Sequence, residues 1–209
     1  DLRYTTDGTT PNSSSPTYDA PLKITETTTL QFQLFNHSGA PRGKPHRRHY
    51  TKAEPIPAAK VSQPRPGVFY EYYEGHFTEL PEFNQLQPLA TGITETVTLN
   101  QIPTREDHFA IEFTGYFLAP KTDVYTFGLT SDDGAKLFLS NQTLIDNDGS
   151  HSAQRKVGTL ALSEGHHQLR VEYFEDYLGQ QLQLTVQTPT QPETIVPTTQ
   201  LFHTQTPTQ

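Results

Sequence analysis

The chain has 209 residues, 33% of them apolar, and a formal net charge of −8. That length holds one large domain or two small ones, and the apolar share is low for a single compact globule yet too high for a disordered chain. The acidic balance excludes nucleic acid as a partner, because phosphate binding needs a basic surface; cations and neutral glycans remain compatible with it. The absence of cysteine excludes disulfides, thiol chemistry and thiolate metal sites. Methionine and tryptophan are absent too. A complete translation product begins with methionine, so the chain is expected to be an excised or processed piece. It contains no long apolar span, and no membrane insertion is expected.

In chain order the sequence reads as strands and turns. Leu2 to Thr6 is a short β run followed by a turn-rich stretch from Asp7 to Pro16. Thr28 to Phe35 alternates, with Leu30, Phe32 and Leu34 on one face and Gln31 and Gln33 on the other, which predicts a half-buried strand. His49 to Lys52 is a candidate for one more. Residues 53–66 contain Pro55, Pro57, Pro64 and Pro66. Proline removes amide donors and fixes φ, so an extended linker is expected there.

A second series of strands follows: Val68 to Tyr73, Glu95 to Leu99, His108 to Leu118, Asp123 to Thr130, Ala135 to Leu139, Lys156 to Leu162, His166 to Tyr173 and Gln181 to Gln187. Alternation is strict through His167, Leu169, Val171 and Tyr173. No window carries a helical period, although Thr78 to Leu89 leaves room for a helical turn. Many short strands with regular turn signals predict a β-sandwich or a barrel-like sandwich. The tail from Thr188 is rich in Thr, Gln and Pro, and Ile195, Val196, Leu201 and Phe202 are its candidates for docking.

The most informative stretch is Phe113 to Asp148. Two alternating apolar runs flank a turn carrying Ser131, Asp132, Asp133 and Gly134. Adjacent carboxylates at a loop tip repel one another unless a cation or hydrogen-bond donors compensate. The pair is therefore a candidate calcium and sugar site, set against a plain Asp-Gly hairpin turn. In the loop Phe174 to Gln181, Asp176 offers a further oxygen ligand and Tyr177 a ring on which a sugar face can stack; the alternative is a solvated acidic loop. Asp146, Asn147, Asp148 and Gly149 are rich in oxygen but lack the downstream glutamate of an EF-hand, and Asn147 and Asp148 are expected in turns. His46 and His49, beside Arg47 and Arg48, are expected on a solvated strand edge.

Two resemblances rest on these residues. Residues 1 to about 52, through Tyr4, Thr5, Thr6, Asp7, Gly8, Pro11 and Tyr18 and the run TTTLQFQLF, resemble the small C-terminal sandwich domain of chitobiases and β-hexosaminidases, with a first strand missing. Residues 67 to about 187 resemble the PA14 (protective-antigen-type) domain through Gly67, Phe69, Tyr72, Phe113, Gly115, Tyr116, Tyr125, Phe127, Asp132, Asp133, Gly134, Leu137, Asp146, Gly165, His167, Leu169, Val171, Tyr173 and Phe174. The tandem is similar to the C-terminal part of bacterial family-twenty glycoside hydrolases, the β-N-acetylhexosaminidases.

The resemblance implies an all-β chain. A small truncated β-sandwich (1–52) and a proline-rich linker (53–66) would precede a PA14 β-sandwich (67–187) and a C-terminal extension (188–209). In the glycan-binding members the pair matching Asp132 and Asp133 is joined by a cis peptide and holds calcium, and a second loop adds ligands and sugar contacts. Here that loop reads FEDYLGQQ, a departure from the Asn- and Gly-rich common form. The implied site is Asp132, Asp133, Asp176 and Tyr177 for carbohydrate, with Asp132, Asp133 and Asp176 for calcium. His167 matches an inward-facing position. The implied function is a non-catalytic carbohydrate-binding module of a secreted, periplasmic or cell-surface bacterial hydrolase; the alternative is a structural accessory that packs on the parent's catalytic domain. Partners would be a glycan and that catalytic domain. Catalysis by this piece is not expected, because two neighbouring carboxylates on one turn cannot straddle a glycosidic bond.

Overall fold

A computed structural model describes residues 1–205. It divides into two compact units, residues 1–54 and the described residues from 55 on.

The first unit is one antiparallel sheet of β1 (Leu2–Thr5), β2 (Thr28–Phe35) and β3 (Pro41–Tyr50), in the order β1-β2-β3. Two sequence expectations change here. The outer strand spans Pro41–Tyr50 rather than starting at His49, and every residue in it is exposed. Its Lys, Arg and Pro residues hide it from a hydrophobic pattern and are what protects a free sheet edge from further pairing. The alternation in β2 also breaks. A register shift lies between Phe32 and Leu34, which leaves Leu34 55% exposed while Gln33 is buried. Gln33 Nε2 donates to the carbonyls of Arg42 and Gly43 at 2.9 and 3.1 Å, so the buried amide is satisfied.

The second unit contains β4 (Arg65–Pro66), β5 (Val68–Glu74), β6 (Ala90–Thr94), β7 (Phe109–Ala119), β8 (Asp123–Asp132), β9 (Ala135–Leu139), β10 (Gln142–Asn147), β11 (Gln154–Leu162), β12 (Gly165–Glu175), β13 (Gln181–Thr188), β14 (Gln191–Ile195) and β15 (Leu201–His203). One sheet runs β10-β9-β12-β7, and the far edge of β7 is shared by β5, which also pairs β6, and by β15, which pairs β4. The other sheet runs β11-β8-β13-β14. Buried residues of both sheets form one core, among them Phe113, Phe117, Leu137 and Val171 from the first and Tyr125, Phe127, Leu129 and Leu184 from the second. Phe117 packs edge-on against Phe127 with ring centroids 5.0 Å apart, a favoured aromatic geometry. The chain is all-β, with a sandwich as its larger part.

The strand expected over Glu95 to Leu99 is instead β6, over Ala90–Thr94. Its Gly92 lies opposite Tyr70, and a Cβ there would stand 2.7 Å from the Tyr70 ring. The tyrosine covers the glycine, so this edge strand needs no apolar alternation of its own. The proline-rich segment runs along the second unit: Ile56 N–H donates to the Ala161 carbonyl at 2.9 Å and Ala59 N–H to His166 at 2.7 Å. The tail supplies β14 and β15, with Val196 and Leu201 in the core. Residues 75–89 contain a single 3-10 turn, Phe83–Gln85. They cover the outer face of the larger sheet, where Phe77, Leu80 and Phe83 pack with Tyr73, Ala110 and Phe174.

Candidate functional site

Three connections cross from one sheet to the other at the same end of the sandwich. β8 ends at Asp132 and β9 starts at Ala135; β10 leads to β11 through residues 148–153; β12 leads to β13 through residues 176–180. Because β9, β10 and β12 are antiparallel neighbours, these three segments lie together. The Asp132–Asp133 peptide is cis.

Asp133 is 4% exposed and acts as a hub. Its Oδ1 accepts the His151 N–H at 2.7 Å, and its Oδ2 accepts the N–H groups of Asp176 at 2.9 Å and Tyr177 at 3.4 Å. Asp132 is half-buried, and its Oδ2 accepts the Ala153 N–H at 3.0 Å. A carboxylate offers about four lone-pair positions, so Asp132 keeps most of its acceptor capacity. Gly179, at φ +137, faces it: a Cβ at that position would stand 3.3 Å from Asp132 Oδ2. The glycine keeps the space beside the carboxylate open.

Beneath the pair lies a buried network. The Tyr173 hydroxyl is 2.5 Å from the Asp132 carbonyl oxygen and 2.6 Å from Glu175 Oε2. One hydroxyl hydrogen serves only one of these, so the second bond needs a proton on Glu175. Burial, reinforced by the carboxylates of Asp133, Asp132 and Asp107, pushes the Glu175 carboxyl up to about 7 against the opposing Tyr173 hydrogen bond. Glu175 belongs to the stretch Phe174 to Gln181, for which a solvated acidic loop was the alternative reading; it is instead the fully buried last residue of β12. Asn147 was expected in a turn and instead ends β10, also fully buried, where its Nδ2 donates to Ser131 Oγ at 2.8 Å. Asp148 does shape a turn, accepting the Gly149 N–H at 2.8 Å and the Leu80 N–H at 2.8 Å.

Among the site residues expected from sequence, the structure brings Asp132, Asp133 and the backbone of Asp176 and Tyr177 together. The Asp176 carboxylate turns elsewhere. Its Oδ2 accepts the Ser150 hydroxyl at 2.8 Å, and its Oδ1 faces His76 at 3.1 Å and His108 at 3.8 Å. Tyr177 is 61% exposed and Leu178 77%, an apolar platform beside Asp133. His167 is fully buried, with Nε2 2.8 Å from the Ser163 carbonyl and Nδ1 3.2 Å from Ser140 Oγ. His46 and His49 lie on the exposed edge strand β3. His76, His108, Ser150 and His151 join the site through strand register and loop crossing, and no sequence motif marks them.

A groove of about 560 Å³ on the outer face of the larger sheet is lined by Glu71, Glu112, Lys136, Phe138, Arg170 and Glu172. Arg170 bonds Glu112 at 3.2 Å and lies 3.8 Å over the Phe138 ring. Among the described residues no helix is long and apolar enough to cross a membrane.

Residues 1–43 match the Chitobiase/beta-hexosaminidase C-terminal domain. An anti-sigma-I factor, RsgI3, from Acetivibrio thermocellus is 26% identical over 98 residues, which is 46% of this chain and 15% of that protein; the chain therefore spans a small part of this curated relative. A solved anti-sigma factor domain-containing protein superposes with a TM-score of 0.60 at 21% identity, over 69% of this chain and 50% of that one. The PA14 sugar-binding domain of an RTX adhesin superposes with a TM-score of 0.57 at 18% identity, over 66% of this chain and 99% of that one. Residues 64–200 match the PA14 domain profile, and the chain belongs to the PA14 domain family.

Proposed function

We propose that the second unit is a non-catalytic carbohydrate-binding module whose ligand lies over Asp132, Asp133 and Tyr177. The observation that carries this reading is the pairing of two consecutive carboxylates at the sheet crossover with an exposed aromatic ring on the adjoining loop. Asp132 and Asp133 are the residues that fit calcium, because calcium takes six to eight hard oxygen donors. Gly179 leaves room at Asp132 Oδ2, and Asp132 Oδ1 accepts no hydrogen bond among the described residues. When bound, calcium supplies the positive charge to which vicinal sugar hydroxyls add oxygens. The protein residues do the rest: Asp133 holds the 148–153 and 176–180 segments in place, Asp132 presents its free oxygen, and Tyr177 offers a face to the sugar ring.

The sugar-binding domain of the RTX adhesin supports a glycan as partner and an extracellular or surface location. The chitobiase/β-hexosaminidase match at residues 1–43 supports a glycoside hydrolase, a β-N-acetylhexosaminidase, as the parent protein. Tethering such an enzyme to its polymer raises local substrate concentration without any new catalytic contact. A second reading, an accessory that packs on the parent's catalytic domain, is favoured by one observation: both oxygens of Asp133 already accept backbone N–H groups, which is a structural task.

A glycan array probed with the intact chain, in calcium and in the calcium-selective chelator EGTA, separates the two. Sugar binding that needs calcium and disappears in Asp132→Asn/Asp133→Asn supports the module. A blank array with a flat calorimetric calcium titration leaves the accessory reading.

A further inference from the structure

Three neighbouring strands, β5, β7 and β12, have a register that decides which residues meet at their ends. Phe109 lies opposite both Glu74 and Glu175. His108 precedes Phe109, Asp176 follows Glu175, and His76 comes two residues after Glu74. The Gly75 N–H donates to the His108 carbonyl at 3.0 Å. Three side chains distant in sequence therefore converge. His76 Nε2 is 3.1 Å from Asp176 Oδ1, His108 Nδ1 is 3.8 Å from the same oxygen, and the ligand atoms of all three lie within 4.8 Å of one another.

We propose that His76, His108 and Asp176 form a binding site for a divalent transition-metal ion of the Zn²⁺ class. The donor set selects the ion. Two imidazole nitrogens and one carboxylate oxygen suit zinc, copper or nickel, whereas calcium and magnesium take oxygen. Tetrahedral zinc with bonds of 2.0–2.1 Å places its ligands about 3.3 Å apart; Asp176 Oδ1 lies 3.1 Å from one imidazole nitrogen and 3.8 Å from the other, and the third separation is within 4.8 Å.

A simple ion pair between His76 and Asp176 accounts for less. His108 Nδ1 is enclosed and has no hydrogen-bond partner, and 3.8 Å from Asp176 is beyond hydrogen-bonding range. An enclosed nitrogen of this kind needs a partner, and a metal ion supplies one. Outer contacts hold the ligands in place, as metal sites require. Ser150 Oγ donates to Asp176 Oδ2, Asp133 accepts the Asp176 N–H, and the His108 carbonyl also accepts the Arg105 guanidinium. The two imidazoles pack edge to face with centroids 4.7 Å apart. The His76 side chain is 66% exposed, giving an ion a route in and a place for water as fourth ligand.

This site takes no ligand atom from Asp132 or Asp133, although Asp133 helps to hold Asp176 through its backbone N–H. Its ion ties the segment after β5 and the start of β7 to the loop that carries Tyr177.

The test uses the intact chain after chelation and desalting. Co²⁺, added first, is expected to bind one per chain with the visible absorption of a tetrahedral nitrogen–oxygen site, and Zn²⁺ is expected to displace it. His76→Ala, His108→Ala and Asp176→Asn should each weaken Zn²⁺ binding by at least about a hundredfold, because losing a direct ligand outweighs losing an outer partner. His76 is exposed, so its variant keeps the fold, which circular dichroism verifies. Asp132→Asn and the double variant His46→Ala/His49→Ala should bind normally. Absent uptake, uptake unchanged in His76→Ala, or uptake lost in the His46/His49 variant overturns the proposal.

Discussion

Asp133 Oδ2 accepts the Asp176 backbone N–H at 2.9 Å, while Asp133 Oδ1 accepts that of His151 at 2.7 Å. One buried carboxylate thus holds two sheet-crossing loops against the turn that carries it. Charge-assisted bonds of this kind are about twice as strong as neutral ones.

Removing that carboxylate should cost more than removing its neighbour's. Asp133→Ala leaves the part-buried N–H donors of His151 and Asp176 without their acceptor, a loss of about 2–3 kcal/mol. Asp132→Ala releases the N–H of the exposed residue Ala153, which water then satisfies, for about 1 kcal/mol or less. Urea unfolding of both variants measures the difference. Equal costs would mean that Asp133 does not organise the loops.

Gly134 is the second structural requirement of the turn. A Cβ there would stand 2.3 Å from the buried Phe174 ring and 2.9 Å from the Gly149 backbone nitrogen. The ring is fully enclosed and the nitrogen belongs to the neighbouring loop, so neither yields easily. Gly134→Ala should therefore destabilise by about 1–3 kcal/mol, as overpacking does, whereas Gly43→Ala on the exposed edge strand meets no atom within 4 Å and bears only its positive-φ strain. Thermal melts of the two variants test the contrast, and an unperturbed Gly134→Ala would refute the close packing.

Two carboxyl groups predict opposite pH behaviour. Burial raises Glu112 above the ordinary range, although Arg170 opposes it. The folded chain then binds more protons than the unfolded one above about pH 4.3, so the stability of the protonated form is lost as pH rises through the raised value. Asp148 is held low: burial pushes it up, but Lys136 and the N–H groups of Leu80 and Gly149 outweigh burial. Its contribution is present above about pH 3.9 and lost as pH falls through the depressed value. Glu112→Gln should therefore gain relative to the parent as pH rises, and Asp148→Asn should show its largest deficit near neutrality and none in strong acid. Melting temperatures across pH 2 to 8 check both signs; parallel curves would exclude both.

Burial periodicity was legible in the first half of β12, where Gln168 and Arg170 between the apolar positions are not buried. His167, Leu169, Val171 and Tyr173 alternate in sequence, and all four are buried. The turn at Asp132 and Asp133 was legible because strong apolar runs flank it. β3 and β14 were not, since each is exposed along its whole length and carries no hydrophobic signal. Leu34 misled because a register shift reverses the faces of β2, and a shift depends on the partner strand. The meeting of His76, His108 and Asp176 is hidden for the same reason: Phe109 must first be paired with both Glu74 and Glu175, and one-dimensional spacing does not contain that information.

Tyr177 separates binding from stability. Its side chain is 61% exposed, and Asp133 touches only its backbone N–H. Tyr177→Ala should therefore leave the unfolding free energy within about 0.5 kcal/mol of the parent. Loss of a stacking face worth about 1 kcal/mol should weaken glycan affinity about five- to tenfold. Tyr177→Phe keeps the ring and should retain affinity. Calorimetric titration of a sugar identified on the array measures all three proteins. A Tyr177→Ala variant that binds as tightly as the parent would remove this loop from the sugar site and leave Asp132 and Asp133 to account for recognition alone.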